Sequence, residues 1–261
     1  MNMNMKMKKI LPLLISSAMA FSFTASAVSV GSIDISVTGR IDPSACELDI
    51  AGGGNVDYGL IDPDTLTFVD GSFGGKFAIL PVHETSFTIR CSANAPVKLS
   101  AVSKRLGTVA GATENSQGFA ALPVSLLGIA AGNNANGVAG LGKTSTGINI
   151  GGYIVRYKAN SLNISTLGEN NTLTTISGSD VQNIYYNGVL DSWRASGGNL
   201  FSNNMNLQTS FAKAGEVTPI EASVYDGILQ VQAYVSEEAA TFGKSKPVLL
   251  NGLSTIELNY I

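Results

Sequence analysis

The sequence predicts an all-β fold, a sandwich of strands, on three observations. Apolar residues alternate with polar ones in run after run from end to end, the period of a strand with one buried face. Turn dipeptides stand between or beside these runs: Asp70-Gly71, Asn136-Gly137, Asn187-Gly188, Asp226-Gly227 and Asn251-Gly252. No stretch holds an amphipathic helical period for long. A sandwich is the natural way to cover so many half-apolar strands.

The first 27 residues are set apart from the fold. Lys6, Lys8 and Lys9 form a basic front, Ile10 to Phe23 is largely apolar, and Ala25-Ser26-Ala27 fits a small-x-small cleavage site. These are the parts of a secretory signal peptide, and the apolar run is too short and interrupted to span a bilayer. The expectation is an exported chain, soluble or held by partners.

Behind the leader, Gly31 to Cys46 reads GSIDISVTGRIDPSAC. Ile33, Ile35, Val37, Gly39 and Ile41 alternate with Asp34, Ser36, Thr38 and Arg40, giving a strand with one apolar face. Such a terminal strand must pair within its own domain or be offered to another chain. The chain has two cysteines, Cys46 and Cys91. Export favours a bridge between them, worth about 4 kcal/mol in the loop-entropy model.

The remaining strands follow in order. Phe87, Ile89 and Cys91 alternate, as do Val97 and Leu99, then Tyr153, Val155 and Tyr157. Leu229, Val231, Ala233 and Val235 form another run, and Ile256, Leu258 and Tyr260 the last. Between them, Gly107 to Gly147 is rich in Gly, Ala and Asn and reads as a long insertion or surface excursion. Asn160 to Asn204 is also polar and irregular, and holds the single tryptophan, Trp193. Excursions of this kind are where a sandwich carries binding specificity, although plain connecting loops are commoner. No internal repeat or linker divides the chain.

Charge excludes one class of function. The formal net charge is −3 with 13% charged residues, and three of the cations lie in the leader. A nucleic-acid footprint needs clustered Lys and Arg, so no nucleic-acid partner is expected.

The run from Ile35 to Cys46, the second cysteine, and a C-terminal alternating strand with a penultimate tyrosine resemble a pilin of the chaperone–usher pathway. GGGNVDYGLI (Gly52 to Ile61), the cysteine pair, KTSTGINIGGYIV (Lys143 to Val155) and NGLSTIELNYI (Asn251 to Ile261) resemble, more closely, the DUF1120 family of probable β-fimbrial subunits. The resemblance covers most of the chain after the leader. It implies an incomplete immunoglobulin-like β-sandwich, pilin-like, completed by donor-strand complementation. Its groove is filled first by a periplasmic pilus chaperone and then, at the outer-membrane usher, by the N-terminal strand of another fimbrial subunit.

On that resemblance residues 1–27 are the signal peptide, 28–38 the donor-strand extension, and 39–261 the pilin-like domain with long loop insertions. Gly31, Ile33, Ile35 and Val37 are the donor face. Ile256, Leu258, Tyr260 and the carboxylate of Ile261 form the strand at the groove edge that the chaperone holds. Pilins usually carry a glycine fourteen residues from the C-terminus. Here that place is Val248, with Gly243 and Gly252 on either side. The implied function is a non-enzymatic structural subunit of a bacterial surface fimbria, exported through the periplasm and supporting cell adhesion, with no cofactor. The alternative is a minor or tip adhesin binding a host glycan or protein through its long loops.

Sharper motifs weigh less. GVAGLGKT, Gly137 to Thr144, fits the phosphate-loop pattern, but a phosphate cradle needs a strand before it and a helix after it, and the flanking sequence reads as polar loop and then turn and strand. His83 is the single histidine, with no serine or cysteine nucleophile in a recognisable elbow. Asp42, Glu47, Asp49, Asp57, Asp62 and Asp64 are dense but lack the regular spacing of a calcium loop. Trp193, Tyr185 and Tyr186 could stack on a sugar, and read better as packing aromatics.

Overall fold

A computed structural model describes residues 45–261, and all of them belong to one compact unit, Pro43–Ile261. The leader, the extension at 28–38 and the donor positions Gly31, Ile33, Ile35 and Val37 lie outside the described residues.

The chain is all-β, with antiparallel ladders throughout its named strands. β1 (Cys46–Ile50) and β2 (Phe68–Asp70) precede the longest strand, β3 (Lys76–Ser103). β4 (Phe119–Ala120), β5 (Val138–Gly140) and β6 (Gly151–Tyr157) follow, then two hairpins, β7 (Asn163–Leu167) with β8 (Leu173–Ser177) and β9 (Val181–Asn187) with β10 (Ser192–Ala195). β11 (Gln208–Lys213) and β12 (Glu221–Ser236) lead to a short helix, α1 (Glu237–Gly243), and the last strand is β13 (Ser254–Tyr260). Ser236 caps α1 by accepting the Ala239 N–H at 3.2 Å.

The hinge of the architecture is β3. Its first two-thirds pair with β12 on one edge and with β2 and β1 on the other, while its last seven residues pair with β13 and, at Leu99 and Ser100, with β11. The alternations at Phe87–Cys91 and Val97–Leu99 are thus one strand, not two. The sheet curls about it, and Phe87, Ile89, Val97, Leu99, Phe211 and Leu229 meet in one core, as in a β-sandwich. Tyr225 ties this core to its rim, its hydroxyl accepting the Ala222 N–H at 3.1 Å and lying 2.7 Å from the carbonyls of both Ala95 and Ile220.

Two expectations are corrected. Asp226-Gly227 is not a turn but lies inside β12, opposite Thr88 and Phe87. A β-carbon on Gly227 would fall 2.6 Å from the Phe87 ring and 2.8 Å from Leu162, so this glycine answers packing rather than chain reversal. The segment 107–147 is not a surface excursion. Leu122, Val124, Leu126 and Val138 pack with Phe77 and Tyr234 in a second core, and the Glu114 carboxylate draws the loop together by accepting the N–H groups of Gly107, Thr108 and Val109 at 2.6–2.8 Å. Leu122, Val124 and Leu126 alternate over only five residues of a Gly-, Ala- and Asn-rich stretch, too short a run to mark the whole segment as core.

Candidate strand-accepting groove

β1 and β13 lie end to end on the same edge of β3. In antiparallel pairing every second residue turns its N–H and C=O toward its partner, and the next turns them away. The bond from Ser92 N–H to Ala45 C=O fixes that alternation for β1, and those from Lys104 N–H to Leu253 C=O and from Ile261 N–H to Pro96 C=O fix it for β13. The backbone groups of Leu48 and Ile50, and of Ser254, Ile256 and Leu258, are therefore directed away from β3. Among the described strands β1 and β13 pair with β3 alone.

The two outward edges meet where the Cys46 N–H donates to the Tyr260 hydroxyl at 2.9 Å. β1 runs away from that junction and β13 runs into it. Beside the junction the Cys46–Cys91 disulfide fastens β1 to β3.

Between the walls is a cleft of about 630 Å³ whose floor includes Tyr153, Val155, Phe201, Leu229 and Val231. Leu48 and Ile50 from β1 and Ile256 from β13 line its sides, half-buried and packed against the main core; their exposed neighbours are Glu47, Asp49 and Glu257. Among the described residues, core side chains are thus open to a slot flanked by backbone groups directed away from β3. Completing the burial of each of these side chains is worth roughly 1 kcal/mol.

Gly252 sets the start of β13. A β-carbon there would fall 2.6 Å from the Tyr153 ring and 3.1 Å from Leu141. Arg105 holds the same turn, donating from Nε to the Asn251 carbonyl at 2.8 Å and from an η-nitrogen to the Asn251 Oδ1 at 2.7 Å. The Tyr153 hydroxyl shares a hydrogen bond of 2.6 Å with Ser254 Oγ, and burial pushes its pKa up to about 12.

The structure brings Ile256 and Leu258 to the groove wall, Tyr260 to its closed end through its hydroxyl, and Ile261 onto Pro96 at 3.3 Å by its N–H. The wall opposite, Leu48 and Ile50, was not singled out in the sequence, although CELDI carries the alternation that could have revealed it. The other motifs resolve into local structure. GVAGLGKT contains β5 and ends in a turn closed by Thr144 N–H to Ile148 C=O, where a phosphate loop would start a helix. Asp57 and Asp62 cap turns by accepting the N–H groups of Gly59 and Asp64, and Asp64 pairs with Lys244 at 2.7 Å. His83 meets the Tyr58 ring edge-on with centroids 4.5 Å apart, and Trp193 lies tilted on Tyr186 at 5.5 Å across the β9–β10 hairpin.

Comparison with known proteins agrees with the resemblance to the DUF1120 family. The family model described as "Protein of unknown function (DUF1120)" matches residues 35–154. The chain is similar to uncharacterized protein YhcF of Escherichia coli (strain K12), 24% identical over 249 residues that cover 95% of this chain and 98% of that one. It is also similar to protein GltF of the same organism, 23% identical over 245 residues covering 92% of each chain. No solved structure matches.

Proposed function

We propose that this chain, similar along most of its length to YhcF and GltF, is a structural subunit of a bacterial surface fimbria whose groove accepts a strand from another subunit. The observation that carries the reading is the groove: two strand edges with outward backbone groups flank a slot floored by core side chains. An extended segment with apolar residues at every second position satisfies both, its backbone pairing with the edges and its side chains filling the cleft.

The same chain holds a segment of that pattern. Gly31, Ile33, Ile35 and Val37 alternate with polar residues ahead of Cys46, and the complementary surfaces of acceptor and donor on one chain make a heterologous, head-to-tail contact that propagates as a fibre. An open groove of this kind also needs cover before assembly, the role of a periplasmic chaperone, with an outer-membrane usher as the place of exchange. The leader fits that route through the periplasm to the cell surface.

Deleting residues 31–38 tests the reading. The truncated subunit is expected to be exported and to accept a donor strand, but to end the polymer. Fibres of unchanged length and amount on cells expressing only this form would overturn the donor role.

A further inference from the structure

The open end of the groove is not bare. Asn55, Val56 and Tyr58 border it, with Val56 and Tyr58 half-buried and Asn55 and Asp57 exposed, the alternation of a strand. Val56 packs against the main core, and Tyr58 against a smaller one that includes Leu80 and Ala233. The Tyr58 hydroxyl reaches the Val231 carbonyl only at 3.5 Å. Yet among the described residues the segment belongs to no ladder, and its local backbone bond is a turn from Asn55 N–H to Gly52 C=O at 3.3 Å.

The approach to this segment is built to turn. Gly52, Gly53 and Gly54 follow one another at φ 67°, 64° and 75°, the left-handed region that favours glycine. A β-carbon on Gly52 or Gly53 would meet nothing within 4 Å. These glycines are there for backbone conformation and not for close packing.

We propose that residues 55–58 are an internal placeholder: they shield the open end of the groove with two alternating apolar side chains and swing aside on the Gly52–Gly54 hinge when a strand enters. This rests on the groove reading above. The segment offers side-chain burial without ladder bonds, so a strand offering both displaces it. The acceptor in use is then longer than the open cleft by the stretch that Val56 and Tyr58 now border.

The experiment uses the full exported chain and a synthetic peptide of residues 31–42. Peptide association is followed by stopped-flow for the wild type and for a double variant, Val56→Ala with Tyr58→Ala. In parallel, nitration of Tyr58 in the wild-type protein is read by mass spectrometry with and without peptide, which does not depend on how the variant folds. The expected results are association about tenfold faster in the variant and a several-fold rise in Tyr58 nitration on binding. A peptide that binds the wild type while Tyr58 nitration stays level or falls would overturn the placeholder and leave the groove standing. A peptide that fails to bind the wild type would overturn both.

Discussion

Tyr260 and Cys46, at opposite ends of the described chain, share a hydrogen bond in which the Cys46 backbone N–H donates to the phenolic oxygen at 2.9 Å. The residue that closes one wall of the groove thereby touches the residue that begins the other. The disulfide to Cys91 stands at the same corner, across a sequence separation of 45. Its removal is expected to act on stability and on the groove together. β1 has five residues and pairs with β3 alone among the described strands, so the covalent bond carries much of its attachment. Cys46→Ser with Cys91→Ser is expected to cost about 4 kcal/mol. Equilibrium denaturation measures that loss, and amide exchange at 46–50 should rise out of proportion to it.

Gly252 makes a second prediction. Its α-carbon lies where a β-carbon would collide with Tyr153, and this packing against a core ring positions the first residues of β13. Gly252→Ala is expected to cost about 1–3 kcal/mol through overpacking. Adding Tyr153→Leu to remove the ring should recover part of that loss, a coupling that a double-mutant cycle reads directly.

Strand identity was legible from apolar residues recurring at every second position: Tyr153–Tyr157, Leu229–Val235 and Ile256–Tyr260 all stand as strands. The continuity of β3 was not, because Ala93 to Pro96 interrupts the period where the strand passes from one part of the sheet to the other. Gly227 looked like turn chemistry since a sequence shows the missing side chain but not the Phe87 ring that requires its absence. In the groove, one wall was readable from alternation near the C-terminus. The other carries its alternation in the five residues of CELDI, but its pairing with a segment about forty residues on is what only the fold reveals.

Alkaline pH should weaken the fold by a calculable route. Burial holds the hydroxyls of Tyr153 and Tyr225 neutral, pushing each pKa up to about 12, against about 10 for an unfolded tyrosine. A raised folded-state pKa contributes stability that is complete below pH 10 and falls away as pH rises toward 12, because only the unfolded chain releases its protons in that window. Each tyrosine costs roughly 1 kcal/mol by pH 11. Urea midpoints between pH 9 and 11.5 test this, and Tyr153→Phe should flatten the decline in its upper part.

The groove wall supplies the sharpest separation between folding and assembly. Ile256 faces the cleft and Leu258 continues the inward face of β13, both half-buried, while Glu257 and Asn259 face solvent from the same strand. Ile256→Asp or Leu258→Asp places a charge where an inserted strand must bury its own apolar residues, and a carboxylate there resists desolvation. At Ile256, which lines the cleft, that charge keeps access to water in the free subunit, so stability should fall only moderately, by about 1–2 kcal/mol. Uptake of the 31–42 peptide should fall at least a hundredfold, measured by titration calorimetry at a temperature where the variant is folded. Glu257→Lys, on the outer face, is expected to leave uptake within a factor of two. Equal loss from all three substitutions would show that β13 is sensitive to any change, and not that its inner face receives a strand.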